Sequence, residues 1–455
     1  MAARSTSALS TTTEAILEVA QNAAVAAVAE QRPIRLVVRD DELRRSRITV
    51  FLRLLLAIPH LAWLLLWSVA ASVVALVLWL AVLIEGKAPG SLHDFVAGYL
   101  RYATHVSAYV YLAANPYPGF RGAPGYAVDL EIDPPARQSR WTGFFRLPLA
   151  LPALALAGAL GSGFTVGGSL GASTYGAAWL YAGAGAGATA AFLAWFAALA
   201  RGTAPRGLRE LVTYAIGYSA QSAGYLLLLT GRYPSSDPSL VLPPAELPPH
   251  PVRIDVSDDL VRPRLLVFFR VFLAVPHLVW LALWSVAGLL AVLAAWLAAL
   301  VLGRVPSRLH RFLAAYVRYA THVAAFVCVL GRRFPGFTGR ESSYGIDVVI
   351  APAARQQRLK TLVRLALAVP ALVVAGALGG VALTVAVLGW WSALVTRRMP
   401  EGLRNLGASC LRYGGQSSAY VLLLTDRYPY AAPVLHGPPA PVFEHLPPAL
   451  PGDAF

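Results

Sequence analysis

The stretch Phe51-Leu52-Arg53-Leu54-Leu55-Leu56-Ala57-Ile58-Pro59-His60 decides the fold, because the chain writes it four times. It returns as Phe144-Phe145-Arg146-Leu147-Pro148-Leu149-Ala150-Leu151-Pro152-Ala153 and as Phe268-Phe269-Arg270-Val271-Phe272-Leu273-Ala274-Val275-Pro276-His277. The fourth copy is Leu362-Val363-Arg364-Leu365-Ala366-Leu367-Ala368-Val369-Pro370-Ala371. The shared pattern is two large apolar residues, Arg, two more apolar residues, Leu-Ala, an aliphatic residue and Pro. Such internal repeats govern every local reading, since each unit buries its apolar face only against its neighbours.

Outward from that stretch, each quarter has the same grammar. It opens on an alternating segment: Ile34 to Arg39, Val128 to Ile132, Val252 to Val256 and Ile346 to Ile350. Period-two alternation with β-branched residues predicts half-buried strands, and four of them suffice for one small sheet outside a bilayer. Arg35 and Arg39 would face Asp129 and Glu131 if the first two strands paired. An apolar run without Asp, Glu, Lys or Arg follows the Pro, from Pro59 to Ile84 and from Pro276 to Leu302, long enough to cross a bilayer with some tilt. A Gly/Pro turn reverses the chain at Gly86-Lys87-Ala88-Pro89, Gly202-Thr203-Ala204-Pro205, Gly303-Arg304-Val305-Pro306 and Arg397-Arg398-Met399-Pro400. Second helices return through 92–114, 208–230, 309–331 and 403–425. They exit through Tyr117-Pro118, Tyr233-Pro234, Phe334-Pro335 and Tyr428-Pro429, aromatic-proline pairs that suit an interface and stop a helix.

Composition agrees. A mean hydropathy of +0.58 with 13% charged residues lies outside the soluble range, where roughly a quarter of residues are charged. The net charge of +15 comes almost wholly from Arg; the Arg/Ala/Gly/Pro-rich, Lys-poor usage suggests a GC-rich bacterial genome. Nucleic-acid binding is the competing reading of such a charge, but the Arg residues flank apolar runs instead of forming a basic domain. Cys328 and Cys410 both lie in apolar segments, which indicates neither a disulfide framework nor a thiolate metal site.

The expected architecture is a mainly α, polytopic transmembrane bundle of about eight spans. It comprises two tandem four-helix units with a four-fold internal repeat and a small cytoplasmic β-sheet of short strands. Residues 1–31 read as a disordered arm, 32–243 as the first membrane unit, 244–431 as the second, and 432–455 as a Pro-rich disordered tail. Every quarter enters and leaves on the strand side, which carries most of the Arg and is therefore placed in the cytoplasm with both termini. The Gly-rich insert between Gly158 and Trp195 reads as a loop with a re-entrant segment, or as an extra span.

Each half resembles the bacterial, largely actinobacterial membrane family numbered 4389 among domains of unknown function. The resemblance is carried by the Arg/Leu-Ala/Pro-His stretch, the Gly-basic-Pro turn, the Arg-Tyr helix and the Tyr-Pro exit. It covers 33 to 430 in two copies, departing at Ala153 and Ala371, where the odd quarters have His60 and His277. The resemblance implies a multi-pass plasma-membrane protein and brings no activity with it.

Two sets of residues are candidates for function. Arg101, His105 and Tyr109, with Arg318, His322, Arg412 and Gln416 aligned to them, form a polar stripe at helical spacing, expected to face a bundle interior. Arg53, Arg146, Arg270 and Arg364 form a collar expected to lay apolar stems along the protein and reach anionic headgroups. Nothing has the pattern of a phosphate loop, a metal-ligand cluster or a nucleophile with its base, so no enzyme, cofactor or metal is expected. Two functions remain: a structural or scaffolding membrane module that binds anionic lipid or a protein partner, and a carrier of a small solute or lipid. The carrier would have a midplane site lined by Arg101, His105, Arg318 and His322.

Overall fold

The computed structural model describes residues 32–39, 42–161, 185–241 and 250–435; the expected arm, and the tail beyond 435, lie outside them. The first quarter contributes β1 Ile34–Val38, α1 Arg47–Glu85 and α2 Gly90–Val110. The second contributes β2 Val128–Ile132, α3 Arg140–Phe144, α4 Arg146–Leu160, α5 Ala186–Arg201 and α6 Arg206–Leu226. The third has β3 Val252–Val256, α7 Arg264–Phe268, α8 Arg270–Leu302 and α9 Ser307–Val327. The fourth has β4 Ile346–Ile350, α10 Arg358–Leu362, α11 Arg364–Thr396 and α12 Glu401–Val421.

These elements stack in three layers. The first holds the long apolar helices, with α1 beside α5, α4 and α5 beside α11, and α11 and α8 joined through α7 and α10. The second holds the returning helices, α2 against α6 and α9 against α12, each also packed on its own long helix. The third is β-structure: β2 lies on α2, β1 on α6, β4 on α9 and β3 on α12. Instead of one four-stranded sheet there are two antiparallel pairs, β1 with β2 and β3 with β4. The returning-helix pair beneath each sheet supplies the apolar support that an isolated strand pair lacks. Pairing of Arg35 with Glu131 in register bears out the cross-strand charge expectation, with ion pairs from Arg35 to Glu131 at 3.7 Å and Arg39 to Glu131 at 3.3 Å.

The long helices are apolar almost all round but bury only one stripe. On α1 that stripe is Val50, Arg53, Ala57, His60, Leu64, Ala71, Leu78 and Val82, steps of three, four and seven that keep one face toward α2. The opposite side leaves Phe51, Leu54, Leu65, Leu66 and Ile84 more than 60% exposed. Three helices, α1, α8 and α11, are long and apolar enough to cross a membrane. The expected count of eight is not reached among the described residues, because the four returning helices are too polar and the long helix of the second quarter is divided into two shorter pieces. On α9, for example, His310, Arg318, Thr321 and His322 are all buried.

Each Pro of the repeated stretch lies inside a continuous helix. In three quarters the break falls earlier, at Phe145, Phe269 and Val363. The Tyr117 hydroxyl, from the Tyr-Pro exit, donates to the Leu56 carbonyl at 3.2 Å, in the turn of α1 disturbed by Pro59.

The long helix of the second quarter is cut in two. α4 ends at Gly161 and α5 resumes after Gly185, whose added Cβ would stand 2.4 Å from the Gly161 Cα, so only glycine permits the contact. The Ala188 amide donates to the Gly161 carbonyl at 2.9 Å, which carries the helical bonding across the cut. The insert thus leaves and re-enters at one point without reversing the helix. Whether it is re-entrant or an extra span concerns residues 162–184, outside those described.

Neighbouring quarters run antiparallel, so their long helices start at opposite ends of the layer. Arg44, at the start of the first quarter, bridges Thr203 in the turn of the second, while Lys87 in the first turn bridges Arg137 at the start of the second. The second half repeats this with Val261 and Arg398, and with Arg304 and Arg355. An Arg from one quarter also caps the last carbonyls of its neighbour's long helix: Arg47 to Ala200 at 3.1 Å, Arg264 to Val395 at 2.6 Å and Arg358 to Val301 at 2.9 Å. A cation at unsatisfied C-terminal carbonyls is favourable by charge and hydrogen bonding together.

Candidate functional site

The polar stripe of the returning helices meets the strands. The Arg101 Nε donates to the Leu130 carbonyl of β2 at 3.0 Å, and the His105 Nε2 lies 2.8 Å from the Asp129 carboxylate. The second half repeats the arrangement: Arg318 Nε to the Val348 carbonyl at 3.1 Å and His322 Nε2 to Asp347 at 2.7 Å. Asp129 is 1% exposed and Asp347 4%. Each carboxylate also accepts backbone amides, from Gly125 and Leu130 in the first case and from Ser342 and Val348 in the second.

In the even quarters the stripe grips the start of β3 and irregular chain. The Gln416 amide donates to the Val252 carbonyl at 3.0 Å and its oxygen accepts the Tyr430 amide at 3.0 Å. The Gln221 oxygen accepts Ser235 at 3.0 Å. Arg412 donates to Tyr430 at 3.1 Å and to Ala432. Tyr109 turns its ring the other way, under the Arg53 guanidinium.

The electrostatics follow from this packing. Burial raises the Asp129 carboxyl, but the Gly125 amide, His105 and the Leu130 amide outweigh it and hold the group below its ordinary 3.8. Burial depresses the His105 imidazole below its ordinary 6.5, partly offset by Asp129. The consistent state is a neutral ring donating Nε2–H to an ionised carboxylate.

The collar is turned inward. Arg53, Arg146, Arg270 and Arg364 are at most 2% exposed, so their guanidinium groups do not reach the surface where headgroups would be. Arg53 donates to the Tyr109 and Ala114 carbonyls at 2.8 and 3.1 Å. Arg364 does the same to Tyr420 and Thr425 at 2.8 and 2.9 Å, Arg270 reaches Gly331 at 3.0 Å, and Arg146 reaches the Gln138 side chain. Their guanidinium carbons sit 4.1–4.9 Å from the ring centres of Tyr109, Tyr225, Phe326 and Tyr420. The physical reason lies in the helix ends beneath them. Leu112, Leu228, Val329 and Leu423 take positive φ of 61–64°, a left-handed turn that is strained in non-glycine residues and leaves carbonyls for a buried cation to satisfy.

Two more buried pairs repeat, the His60 Nδ1 with the Tyr102 hydroxyl at 2.7 Å and the His277 Nδ1 with the Tyr319 hydroxyl at 2.8 Å. His60 lies flat on Phe120, and His277 on Phe337. Sequence reasoning saw His60 and His277 only as the residues after the repeated Pro and missed these tyrosines as their partners. It also placed Asp129 on a polar strand face without joining it to His105. The signal was available: Asp129 and Asp347 hold the same place in their strands, 24 and 25 residues after His105 and His322.

The structure therefore brings Arg101 and His105 together at Asp129, and Arg318 and His322 together at Asp347. It does not gather the four around one space, since each cluster lies under its own sheet. The small cavity lined by Arg32, Ile34, Gln221, Thr230 and Arg232 contains none of them.

Fold and site define a mainly helical protein of repeated helix-pair-and-strand units, with three helices long and apolar enough to cross a membrane and polar clusters that lock strands to helices. Three segments, 47–121, 264–338 and 358–432, match the model of a family described as Domain of unknown function (DUF4389). The matching unit is one quarter and it occurs three times, in place of two copies of a half-chain. Each match runs from the start of the helical part of a quarter past its aromatic-Pro exit; the second quarter, with its divided helix, is the one not matched. No curated protein and no solved structure matches the chain.

Proposed function

We propose that this protein is a structural membrane module, embedded through its layer of long helices and binding anionic lipid headgroups through exposed Arg at the ends of those helices. The observation that carries the reading is the one-sided burial of the long helices. Phe51, Leu65, Phe272, Leu290, Leu365 and Leu383 are each 66–73% exposed, and an apolar surface of this extent marks a contact with lipid or another apolar body. The polar stripe is spent on holding strands, which favours a structural role over a carrier. The headgroup contacts are reassigned from the buried collar to exposed basic residues where quarters meet: Arg44, Arg47 and Arg201; Lys87, Arg137 and Arg140; Arg264, Arg397 and Arg398; Arg304, Arg355 and Arg358. Juxtamembrane basic residues contribute about 1 kcal/mol each near an anionic surface.

Carbonate washing of membranes followed by native mass spectrometry tests this. Retention in the membrane pellet, with phosphatidylglycerol or cardiolipin lost when Arg44, Arg47, Lys87, Arg137 and Arg140 are replaced by Gln, is the expected result. Release into the supernatant would overturn the membrane reading, and unchanged lipid retention would overturn the headgroup assignment.

A further inference from the structure

We infer that the long-helix layer lies within a single leaflet, parallel to the membrane plane, with the returning helices at headgroup level and the strands in water on the same side. The inference rests on the membrane reading above and adds the orientation, for which three observations speak independently.

The first is the height of the strands. Trp67, at the middle of α1, stacks on Tyr102 with ring centres 5.4 Å apart, and the adjoining Arg101 binds the β2 backbone. Trp284 on α8 meets Tyr319 at 5.3 Å, beside Arg318 and β4. The strands therefore sit level with the centres of the long helices. Their side chains form an ionic surface: Arg39 and Glu131 are 46% and 44% exposed, and Arg253 and Asp255 are exposed on β3. Were α1 upright with its middle at the bilayer centre, these charges and the open edges of two-stranded sheets would lie at that depth. Lipid-exposed strand edges do not occur there, and charges placed at the bilayer centre are strongly disfavoured.

The second is the distribution of basic residues. Because neighbouring quarters are antiparallel, α1 has Arg44, Arg47 and Arg201 at one end and Lys87, Arg137 and Arg140 at the other. An upright helix would put a basic cluster on each side of the membrane, against the bias of basic residues to the cytoplasmic side. In the plane, both clusters meet the same row of headgroups.

The third is length. Leu54 to Ile84 contains no Asp, Glu, Lys or Arg, and these 31 residues extend about 46 Å at 1.5 Å per residue. A hydrocarbon core of about 30 Å would require a tilt near 50°, beyond the usual range of about 0–40°. One layer of helices is about 10–12 Å thick, which fits within the roughly 15 Å of one leaflet's share of that core.

The apolar occupant is thus the acyl region of one leaflet, which the layer would displace as a wedge. The test is side-specific labelling. Cys328 and Cys410 are replaced by Ala, and single cysteines are placed at opposite ends of α1 as Lys87→Cys and Thr203→Cys. A membrane-impermeant maleimide is then applied to spheroplasts and to inside-out vesicles. A second pair, Arg304→Cys and Arg398→Cys at opposite ends of α8, serves if either first variant fails to accumulate. Labelling of both members of a pair from the same side only is expected. Labelling from opposite sides, or of both from both sides, would overturn the in-plane arrangement while leaving the membrane reading intact. Loss of the protein from carbonate-washed membranes, including as a soluble dimer with apolar faces paired, would remove the membrane reading as well.

Discussion

Replacing Arg53 by Met separates the two roles that an Arg in the repeated stretch can have. If it reaches headgroups, the change leaves the protein as stable as before and weakens its hold on anionic lipid. If it closes the end of α2, the change exposes the Tyr109 and Ala114 carbonyls to an apolar surrounding. Two hydrogen bonds from a charged donor, at 2.8 and 3.1 Å, contribute about 1.5–3 kcal/mol each. The guanidinium over Tyr109 at 4.4 Å adds up to about 2 kcal/mol where desolvated. Against this, Met removes a buried cation whose desolvation opposes folding by several kcal/mol, roughly half the gross gain. The expected net loss is about 2–4 kcal/mol, measured by denaturant unfolding in a fixed detergent. The exposed Arg121→Ala should shift stability by less than about 0.5 kcal/mol. An Arg53→Met protein that unfolds with the wild type and has lost bound phosphatidylglycerol would refute the end-capping argument.

Acid should destabilise the first strand–helix junction in two stages. Below the ordinary His value of 6.5 the unfolded chain takes up a proton that the depressed folded His105 resists, so its contribution, present above 6.5, falls as pH drops. Asp129, also depressed in the fold, contributes above its ordinary 3.8 and loses that contribution as pH falls below it. Thermal unfolding between pH 7.5 and about 3 should show both declines, with Asp129→Asn removing the lower one; an unchanged pH profile in that variant would count against the junction. Tyr102→Phe leaves the buried His60 without its 2.7 Å partner and should lower stability by about 1–3 kcal/mol; a change under about 0.5 kcal/mol would show the pair to be incidental. Gly185→Val should force α4 and α5 apart and lower stability by about 1–3 kcal/mol; if instead it is neutral in the same assay, the end-to-end contact with Gly161 does not hold the two helices.

What could be read from the sequence was what repeats. Four copies of one stretch located the long helices, the turns and the strand pairing of Arg35 with Glu131, because periodicity and complementary charge are local properties. Depth and facing were not legible. Arg53 and Arg47 are both arginines near the start of α1, yet one is buried against helix-end carbonyls and the other lies exposed over Ala200. The decision is made by Leu112 turning left-handed some 60 residues away, which nothing in the Arg53 neighbourhood announces. Likewise Asp129 has the appearance of a surface strand residue until the strand is laid on α2, where its carboxylate meets His105. The antiparallel relation of neighbouring quarters was hidden for the opposite reason. Repeats identical in pattern look the same in either direction, and only the Arg44–Thr203 and Lys87–Arg137 bridges fix their sense.

That relation explains why the quarters come in pairs. A single quarter supplies one strand, and a lone strand has no ladder. It also ends its long helix on carbonyls capped by Arg47, Arg264 or Arg358 of the adjoining quarter. Antiparallel neighbours meet both needs at once: β1 reaches β2 and β3 reaches β4 across the paired returning helices, and each opening segment lies on the other quarter's turn. The second and fourth quarters then join the halves by the same kind of contact, with the Tyr430 hydroxyl donating to Glu210 at 2.9 Å and the Asn405 amide to Asp237 at 2.6 Å. Chemistry that would otherwise be left unsatisfied at the edge of one unit is completed by the next. The layer so built joins its quarters through these contacts and leaves one apolar face exposed.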